Sequence, residues 1–374
     1  MTSGTIAALD GLIGLGVGVL PSFSISITPT RSPVFFPWRR FVMITTPYDP
    51  PPSSRSPSPS IGEKHSGKGV NRGVPAVLNR NRIKRRRFLK HSVAALGAGL
   101  AGCLGWTFWI EPFWVEIVER PLPLRNLPDH WVGKTVVQIS DLHVCNLLDL
   151  DFMRRSLASI AELDPELVVI TGDFMTCERD EWIDTTARVM ESLRPGRAGI
   201  LAVPGNHDYG AAWDRPEVAE CLGQRLGDLG IRLLRNQVVN VNDLQIIGLD
   251  DLWSGCLDAA KVWPRVDPNR ASLVLCHNPD AADLPIWSGY QGWILAGHTH
   301  GGQCKPPFLP PPLLPVRNRR YTSGAFDLYD GRWLYINRAL GYLRQVRFNV
   351  RPEITRFILV RDATPAKPSL RPLG

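Results

Sequence analysis

Histidine and aspartate residues cluster in five short motifs, and each motif directly follows an apolar run. The motifs are Asp141-Leu142-His143, Gly172-Asp173, Gly205-Asn206-His207-Asp208, the single His277 and Gly297-His298-Thr299-His300. Of the eight histidines in the chain, five lie in these motifs. Imidazole and carboxylate groups are the usual ligands of catalytic transition metals. The pattern therefore predicts a centre that holds two metal ions.

Two divalent ions about 3.5–4 Å apart need a bridging carboxylate, terminal ligands and open positions for water and substrate. Asp173 is the candidate bridge, and His and Asp donors suit manganese, iron or zinc. The amide of Asn206 would supply an oxygen without negative charge, so the metal pair stays cationic enough to attract phosphate. The ions would lower the pKa of a shared, bridging water to give hydroxide and would stabilise charge on phosphoryl oxygens. His207 would protonate the leaving alkoxide, and Asp208 would either orient that imidazole or cap the following loop.

Short apolar runs alternate with amphipathic segments from residue 133 onward. The apolar spacing predicts strands over 135–140, 167–171, 199–203, 231–234, 245–249, 272–276, 293–296, 333–337 and 354–360. It predicts helices over 149–163, 182–193 and 216–229. Alternating strands and helices favour an α/β fold, and antiparallel strands near the C-terminus favour a second sheet packed on the first.

Every motif follows a predicted strand, so the ligands should converge at one rim, beyond the carboxyl ends of the strands. Residues two apart on an extended backbone point the same way, which would pair Asp141 with His143 and His298 with His300. Glycine would permit tight turns where a side chain would crowd the metals. Three motifs contain such a glycine, namely Gly172, Gly205 and Gly297.

The ordered set D-x-H, G-D, G-N-H-D, H and G-H-x-H resembles the calcineurin-like metallophosphoesterase superfamily over residues 132–361. The resemblance implies a four-layer α/β/β/α sandwich with His207 as the general acid. It also implies two metal sites that share one residue. The first would be formed by Asp141, His143, Asp173 and His300, and the second by Asp173, Asn206, His277 and His298.

A basic and Pro/Ser-rich segment over residues 1–84 is expected to be a disordered tail, and Met43 is a possible alternative start. Residues 1–90 hold 14 Lys and Arg against 3 Asp and Glu, whereas the whole chain has a net charge of +8. The remainder therefore carries about −3. The basic balance belongs to the tail, so we expect no nucleic-acid partner for the folded part.

The string Arg85-Arg86-Arg87-Phe88-Leu89-Lys90 matches the twin-arginine pattern R-R-x-F-L-K and precedes an uncharged run over 92–110. As a helix, a run of that length spans about 28 Å, close to the hydrocarbon thickness of a bilayer. We therefore predict a twin-arginine signal or membrane anchor over 85–110, with the twin-arginine export machinery as a partner. The basic flank favours a cytoplasmic N-terminus and an extracytoplasmic catalytic domain in a bacterium.

The predicted order continues with a juxtamembrane linker over 111–131, the catalytic domain over 132–362 and a Pro-rich tail over 363–374. Aromatic residues after the apolar run would form an interfacial belt, with residues 113–118 along the membrane surface, or would pack on the domain. Leu100-Ala101-Gly102-Cys103 also matches a lipoprotein cleavage box, which would make Cys103 a lipidated first residue.

The longer strings around residues 249–253 and 297–303, with the signal, resemble the bacterial membrane-associated or exported phosphodiesterases. The resemblance favours phosphodiesters as substrates, and a bilayer location favours a phospholipid, a lipid-linked intermediate or a wall phosphopolymer. Two alternatives stay open: a pyrophosphatase that cleaves nucleotide-linked lipids at the cytoplasmic face, and a non-catalytic surface binding protein.

Three further groups of residues have ambiguous roles in the sequence. Asp250 and Asp251 would close a turn or support the site, and the turn is favoured. A basic group formed by Arg317, Arg319 and Arg320 would contact substrate phosphate or lie in a solvated loop, and the loop is favoured. Residues 306–315 are expected to form an extended loop that borders the site.

Overall fold

The structure, a computed structural model, describes residues 78–145, 147–176 and 181–362. The predicted tails lie outside these residues, except that residues 78–84 begin a helix. The α-helices are α1 (Leu78–Gly105), α2 (Leu150–Ser159), α3 (Glu181–Met190) and α4 (Pro216–Gly227). The strands are β1 (Glu116–Leu124), β2 (Thr135–Ile139), β3 (Leu167–Thr171), β4 (Ile200–Val203), β5 (Ile231–Leu233), β6 (Gln237–Val241), β7 (Leu244–Gly248), β8 (Ser272–Leu275), β9 (Trp293–Ala296), β10 (Gly324–Asp327), β11 (Trp333–Ile336) and β12 (Glu353–Arg361).

The strands form two six-stranded sheets. The sequence predicted two sheets but not the strands β1, β6 and β10. The first sheet has the order β1-β12-β2-β3-β4-β5, in which β2 to β5 are parallel. The second has the order β10-β11-β9-β8-β7-β6, with β11, β9, β8 and β7 parallel and both edge strands antiparallel. Strands covered on both faces are expected to be apolar throughout, and β2, β3 and β4 are buried at every position.

Apolar side chains join the layers. Val169 and Leu201 of the first sheet pack between the sheets with Leu273 and Leu295 of the second. Helices α2, α3 and α4 cover the other face of the first sheet. The outer face of the second sheet differs from the predicted fourth layer, because among the described residues it is covered by loops and short 3-10 helices (Ala259–Lys261, Trp263–Arg265 and Pro279–Asp283).

Residues 111–131, expected to be a linker, contain strand β1, which pairs with β12 along its whole length. Leu122 and Leu124 of this strand are buried in the core. Charges and two prolines hid the strand in the sequence, and proline is tolerated in a sheet only at an edge such as the one β1 occupies. Phe113 packs edge-on against Phe152 with ring centroids 5.2 Å apart, so it belongs to the domain.

Within the described residues, one helical segment, Lys84–Phe113, is long and apolar enough to cross a membrane. Its side chains are almost all exposed. It consists of α1, a π-helical turn over Trp106–Ile110 and a 3-10 turn over Glu111–Phe113. An exposed apolar surface of this size is costly in water.

Candidate metal centre

The predicted ligands follow the carboxyl ends of β2, β3, β8 and β9, with Asn206 after β4, and they meet at one rim of the sandwich. The sequence predicted an extended backbone for the paired ligands, but the structure shows a different conformation. Asp141 and His143 have φ of 53° and 50°, Asp173 has 55°, and His298 and His300 have 70° and 51°. These values lie in the left-handed region, where a residue other than glycine is strained by roughly 1–3 kcal/mol. The paired side chains therefore converge through tight left-handed turns.

Glycines let these turns approach one another. A Cβ added to Gly172 would lie 2.6 Å from Nδ1 of His277, and Gly172 itself has a φ of 89°. A Cβ on Gly297 would overlap the side chains of Ser140 and Asp141. At these two positions a side chain would therefore collide with residues of the motifs and their neighbours.

A first group of donors surrounds His143. Its Nε2 lies 2.9 Å from Nε2 of His300, and the same His300 nitrogen lies 3.3 Å from Oδ1 of Asp141. Oδ2 of Asp173 is 3.5 Å from the His143 nitrogen. Four donors that face one another at these distances have the composition of a transition-metal site.

A second group of donors surrounds His277. Its Nε2 lies 3.1 Å from Oδ2 of Asp173 and 3.1 Å from Nδ1 of His298. The same carboxylate oxygen therefore faces both groups, which is the position required of a bridging ligand. Asn206 is buried nearby, and neither polar atom of its side chain has a hydrogen-bond partner among the described residues.

In His277 and His298, hydrogen bonds to carbonyl groups set which ring nitrogen is free to bind a metal. Nδ1 of His277 donates to Thr171 O at 2.8 Å, which leaves Nε2 as the ligand atom. Nε2 of His298 donates to Pro315 O at 2.7 Å, which leaves Nδ1. A metal-bound histidine usually makes such a bond with its second nitrogen, because the bond fixes the tautomer and the ring orientation.

The electrostatics of the cluster favour a cation at its centre. Burial opposes ionisation of Asp173, but the adjacent His277 keeps the pKa of this carboxyl well below its usual value. Burial likewise opposes charge on His277, yet Asp173 raises the pKa of His277 to about 10. Burial and the charge on His277 together lower the pKa of His298 to about 3. Divalent cations would supply positive charge beside the carboxylates of this cluster. The donors and the unpartnered Asn206 amide fit such ions.

His207 lies at the open side of the cluster and is half-buried. Its backbone N–H donates to Oδ1 of Asp173 at 2.9 Å, so the same residue helps to orient the central carboxylate. Its ring lies edge-on to the ring of His143, with centroids 5.0 Å apart. Burial lowers the pKa of His207, although Asp173 partly opposes this effect.

The carboxylate of Asp208 ties two loops together. It accepts hydrogen bonds from the backbone of Gly205 at 2.9 Å and of Phe174 at 2.9 Å. These contacts match neither of the two roles predicted for Asp208, because they involve the preceding Gly205 and the loop after β3. The loops that hold Asp173 and Asn206 are thereby fixed to each other.

Two tryptophans at the mouth of the centre were not selected from the sequence. Trp213 and Trp253 are half-buried and stacked, with centroids 5.2 Å apart. Trp253 lies 4.3 Å from the ring of His298, and Trp213 lies 5.5 Å from that of His207. Because both come from irregular loops, no periodicity marked them, although Trp253 lies in a string used for the resemblance.

Asp250 and Asp251 have different roles. Asp251 closes a turn, as favoured, by accepting from Ser254 N at 2.7 Å. Asp250 instead accepts from the hydroxyl of Tyr209 and from Nε of Arg235, and so supports the loop that carries His207. Burial raises the pKa of Asp251 to about 6.

Comparisons with known proteins agree with this arrangement. The family model described as "Calcineurin-like phosphoesterase" matches residues 134–302. The chain is 29% identical over 284 residues to "Phosphodiesterase YaeI" of Escherichia coli, covering 74% of this chain and 100% of that protein. It is 32% identical over 293 residues to "Uncharacterized metallophosphoesterase YkuE" of Bacillus subtilis, covering 74% and 98%.

A third relative carries a more specific name. The chain is 26% identical over 300 residues to "UDP-2,3-diacylglucosamine pyrophosphatase LpxG" of Chlamydia trachomatis, covering 67% of this chain and 90% of that protein. The match to YkuE spans nearly all of that metallophosphoesterase, and all the predicted ligands lie within the segment that the family model matches. The chain belongs to the calcineurin-like metallophosphoesterases and is a metal-dependent phosphoester hydrolase.

Proposed function

We propose that this protein hydrolyses phosphodiesters at a centre of two divalent ions. Asp141, His143, Asp173 and His300 would hold the first ion. Asp173, Asn206, His277 and His298 would hold the second. The observation that carries the proposal is the position of one Asp173 oxygen, which lies 3.5 Å from Nε2 of His143 and 3.1 Å from Nε2 of His277.

Bound manganese, iron or zinc ions would supply a water of lowered pKa and positive charge beside the phosphoryl group. The carbonyls of Thr171 and Pro315 accept hydrogen bonds from His277 and His298 and so orient these two proposed ligands. His207, on the open side of the cluster, would donate a proton to the leaving oxygen. Its lowered pKa makes it a stronger acid, and an anionic phosphate beside it would favour the protonated form. Trp213 and Trp253 would shield this proton transfer from bulk water.

The general acid can be tested with His207→Ala, using bis(p-nitrophenyl) phosphate as the diester. We expect kcat to fall about 10²- to 10⁴-fold, because that is the usual contribution of a positioned acid. His130→Ala is the matched control, since this histidine is exposed, hydrogen-bonded to Asn242 O, and precedes β2, whose opposite end is followed by Asp141. Wild-type turnover by the His207 variant would remove this residue from the mechanism.

The metal requirement is a separate test. Protein treated with a chelator should be inactive, and activity should return when manganese, iron or zinc is added. Elemental analysis of the reactivated protein should show two ions per chain. Full activity in the metal-free protein, or a single ion in the fully active one, would contradict the two-metal centre.

We further propose that residues 92–110 anchor the protein in a bacterial membrane, with the catalytic domain extracytoplasmic. The exposed apolar helix and the basic residues before it support this orientation. The pattern R-R-x-F-L-K supports export by the twin-arginine machinery. A phospholipid, a lipid-linked intermediate or a wall phosphopolymer would then be the natural diester.

A reporter fused after residue 374 tests the orientation. Alkaline phosphatase is active only outside the cytoplasm, so an active fusion is expected. Replacing Arg85 and Arg86 together with lysine should abolish export if the twin-arginine route is used. An inactive fusion beside an active cytoplasmic reporter would reverse the orientation.

The name of LpxG favours one second candidate, a pyrophosphatase for nucleotide-linked lipids at the cytoplasmic face. This candidate predicts a cytoplasmic reporter and cleavage of UDP-diacylglucosamine between its two phosphates. The two candidates differ in both outcomes. A cytoplasmic domain that cleaves this substrate faster than simple diesters would establish the pyrophosphatase.

A further inference from the structure

The apolar helix reaches the domain at the same end of the sandwich as the metal centre. Strand β1 follows this helix and begins at Glu116, opposite Glu353 at the start of β12. Because β12 runs antiparallel to β2, its start lies at the carboxyl end of β2. Asp141 follows that end of β2. Any membrane that holds the helix therefore lies on the side of the site rim.

Hydrogen bonds connect the end of this helix to a neighbouring loop. Arg347 donates its backbone N–H to Thr107 O at 3.0 Å. The next residue, Phe348, accepts from the backbone N–H of Lys305 at 2.9 Å. The loop over residues 306–315 thus starts beside the point where the helix meets the domain.

The tip of that loop is apolar and exposed. Phe308 is fully exposed, Leu313 is 79% exposed and Leu309 is 59% exposed. Three large apolar side chains in one short exposed segment mark a binding surface more often than a solvated loop. Proline is frequent between them, which limits how far the loop can fold back on itself.

Basic residues flank this apolar tip on both sides in the sequence. Residues 91–374 together carry about −3, so a local cluster of positive charge stands out. The cluster consists of exposed side chains, namely Lys305, Arg317, Arg319 and Arg320. Apolar tips with basic flanks suit the interface of an anionic bilayer, where the chains meet the acyl region and the charges meet phosphate headgroups.

The far end of the loop reaches the metal centre. The carbonyl of Pro315 accepts the hydrogen bond from Nε2 of His298 at 2.7 Å. The loop therefore extends from the end of the apolar helix to the side chain of a proposed ligand. A membrane bound by the tip would lie next to the mouth of the site.

We propose that residues 306–315 insert their apolar tip into the interface of an anionic phospholipid bilayer, the same bilayer that α1 enters. The loop is a second membrane contact, and it presents the site to substrates that reside in the membrane. The membrane contact rests on the proposed anchor over residues 92–110, and delivery of such substrates rests also on the proposed phosphodiesterase function.

The contact can be measured on the full chain in vesicles of phosphatidylcholine with phosphatidylglycerol. A photoreactive p-benzoylphenylalanine replaces Phe308 in one protein and Tyr329 in another. Tyr329 is the matched control because it is 77% exposed and lies in the β10–β11 hairpin, which precedes β11 and so lies at the opposite end of the second sheet from the site. We expect at least about tenfold more lipid adduct at 308 than at 329.

Equal yields at the two positions, or no lipid adduct at 308, would overturn the proposal. Vesicles of phosphatidylcholine alone test the basic flanks. The adduct yield at 308 should fall in these vesicles, because the attraction to anionic headgroups is lost. An unchanged yield would remove the anionic preference.

Substrate delivery is tested with a triple variant, Phe308→Ser with Leu309→Ser and Leu313→Ser. Turnover of a long-chain p-nitrophenyl diester embedded in vesicles should fall about tenfold, while turnover of soluble bis(p-nitrophenyl) phosphate stays unchanged. Loss on both substrates would mean that the loop only supports the site, and would overturn delivery from the membrane. If the wild type cleaves neither substrate, the proposed function fails, while the photochemical result still decides the membrane contact.

Discussion

The interior between the two sheets and the rim above it place their side chains under opposite conditions. In the interior, Val169 and Leu273 lie on regular strands, fully buried among apolar neighbours. At the rim, five proposed ligands have left-handed backbone and donors of like kind face one another, as in the 2.9 Å contact between His143 and His300. Interior residues have regular backbone and apolar neighbours, whereas rim residues have strained backbone and donors that face one another.

This difference shows which part of the molecule stabilises the other. Left-handed residues other than glycine and unpartnered buried amides raise the free energy of the folded state. The rim persists because packed strands below it fix the ends of each loop. Changes at the rim should therefore act mainly on metal binding and catalysis, and changes in the interior mainly on stability.

The largest effect is expected from Asp173→Asn. A neutral amide cannot bridge two cations as a carboxylate does, so kcat should fall at least about a thousandfold, equivalent to several kcal/mol of lost charge stabilisation. The far-ultraviolet circular dichroism of the variant should match the wild type. Activity on bis(p-nitrophenyl) phosphate and bound metal per chain are the measurements.

The matched interior variant is Leu273→Ala, which should show the reverse pattern. Its cavity should lower the free energy of unfolding by about 2–5 kcal/mol, with kcat of the folded enzyme within about twofold of wild type. Denaturant unfolding and kinetics on the same preparation test the pair. An inactive but fully stable Leu273 variant, or an active Asp173 variant, would contradict the expectation that interior changes act on stability and rim changes on catalysis.

The strands of the interior, and the clustering of the predicted ligands at one rim, could be predicted from the sequence for a physical reason. Parallel strands buried on both faces leave continuous apolar runs such as residues 167–171, and ligands of fixed chemistry follow them directly. Strand β1 was missed because Glu, Arg and Pro hide an edge strand that needs only one buried face. The fourth layer was expected from family resemblance, and in the described residues its place is taken by loops with no period to detect.

At the site, residue types were predictable and backbone conformation was not. The i, i+2 spacing of His298 and His300 suggested extended backbone, whereas both residues are left-handed. Long-range contacts decide such geometry, for example the backbone N–H of His298, which donates to the carboxylate of Asp141 at 3.0 Å. The stacking of Trp213 on Trp253 also depends on two loops that only the fold brings together.

A second prediction concerns the close approach of loops at the rim. Gly297→Ala would place a methyl group against Ser140 and Asp141 and so displace a proposed ligand. A misplacement of about 1 Å can cost about a hundredfold in rate, and we expect a loss of roughly 10- to 100-fold. Gly227→Ala is the control, since no atom lies within 4 Å of the added carbon. Equal kinetics for the two variants would show that the loops at the rim can move to accommodate the added methyl group without loss of activity.

A smaller effect is expected from the tryptophans, and the molecule provides its own comparison. Trp293 and Trp333 are stacked much as Trp213 and Trp253 are, with centroids 5.3 Å apart, but they lie on neighbouring strands of the second sheet. Trp253→Ala should lower kcat/KM on aryl diesters about tenfold, because one aromatic contact contributes about 0.5–1.5 kcal/mol beyond the area it buries.

Trp333→Ala should leave kcat/KM unchanged. The two variants should be compared on bis(p-nitrophenyl) phosphate under saturating metal. A decrease of equal size in both would attribute the loss to general destabilisation. A decrease confined to Trp253→Ala would show that position at the rim, and not stacking itself, matters for catalysis.

The smallest effect is expected at Asp251, which lies at the base of the rim. The pH dependence of its contribution to stability tests whether it behaves as a rim residue or as an interior residue. Burial raises the pKa of this carboxyl to about 6, above the ordinary value of 3.8. A raised pKa means that protonation favours the folded state, so the contribution of Asp251 to stability is present below pH 3.8 and is lost as the pH rises through 6. Asp251→Asn keeps an oxygen for Ser254 N and removes the buried charge.

In metal-free protein, Asp251→Asn should therefore raise the free energy of unfolding by about 1 kcal/mol at pH 7.5 and leave it unchanged at pH 4. With metal bound, the gain at pH 7.5 should shrink, because nearby cations favour the ionised carboxyl of the wild type. Denaturant unfolding at both pH values, with chelator and with manganese, gives four differences between variant and wild type. If the free energy of unfolding rises by the same amount in all four conditions, packing determines the effect of Asp251, as it does for interior residues. The electrostatics of the rim would then not extend to the turn beneath it.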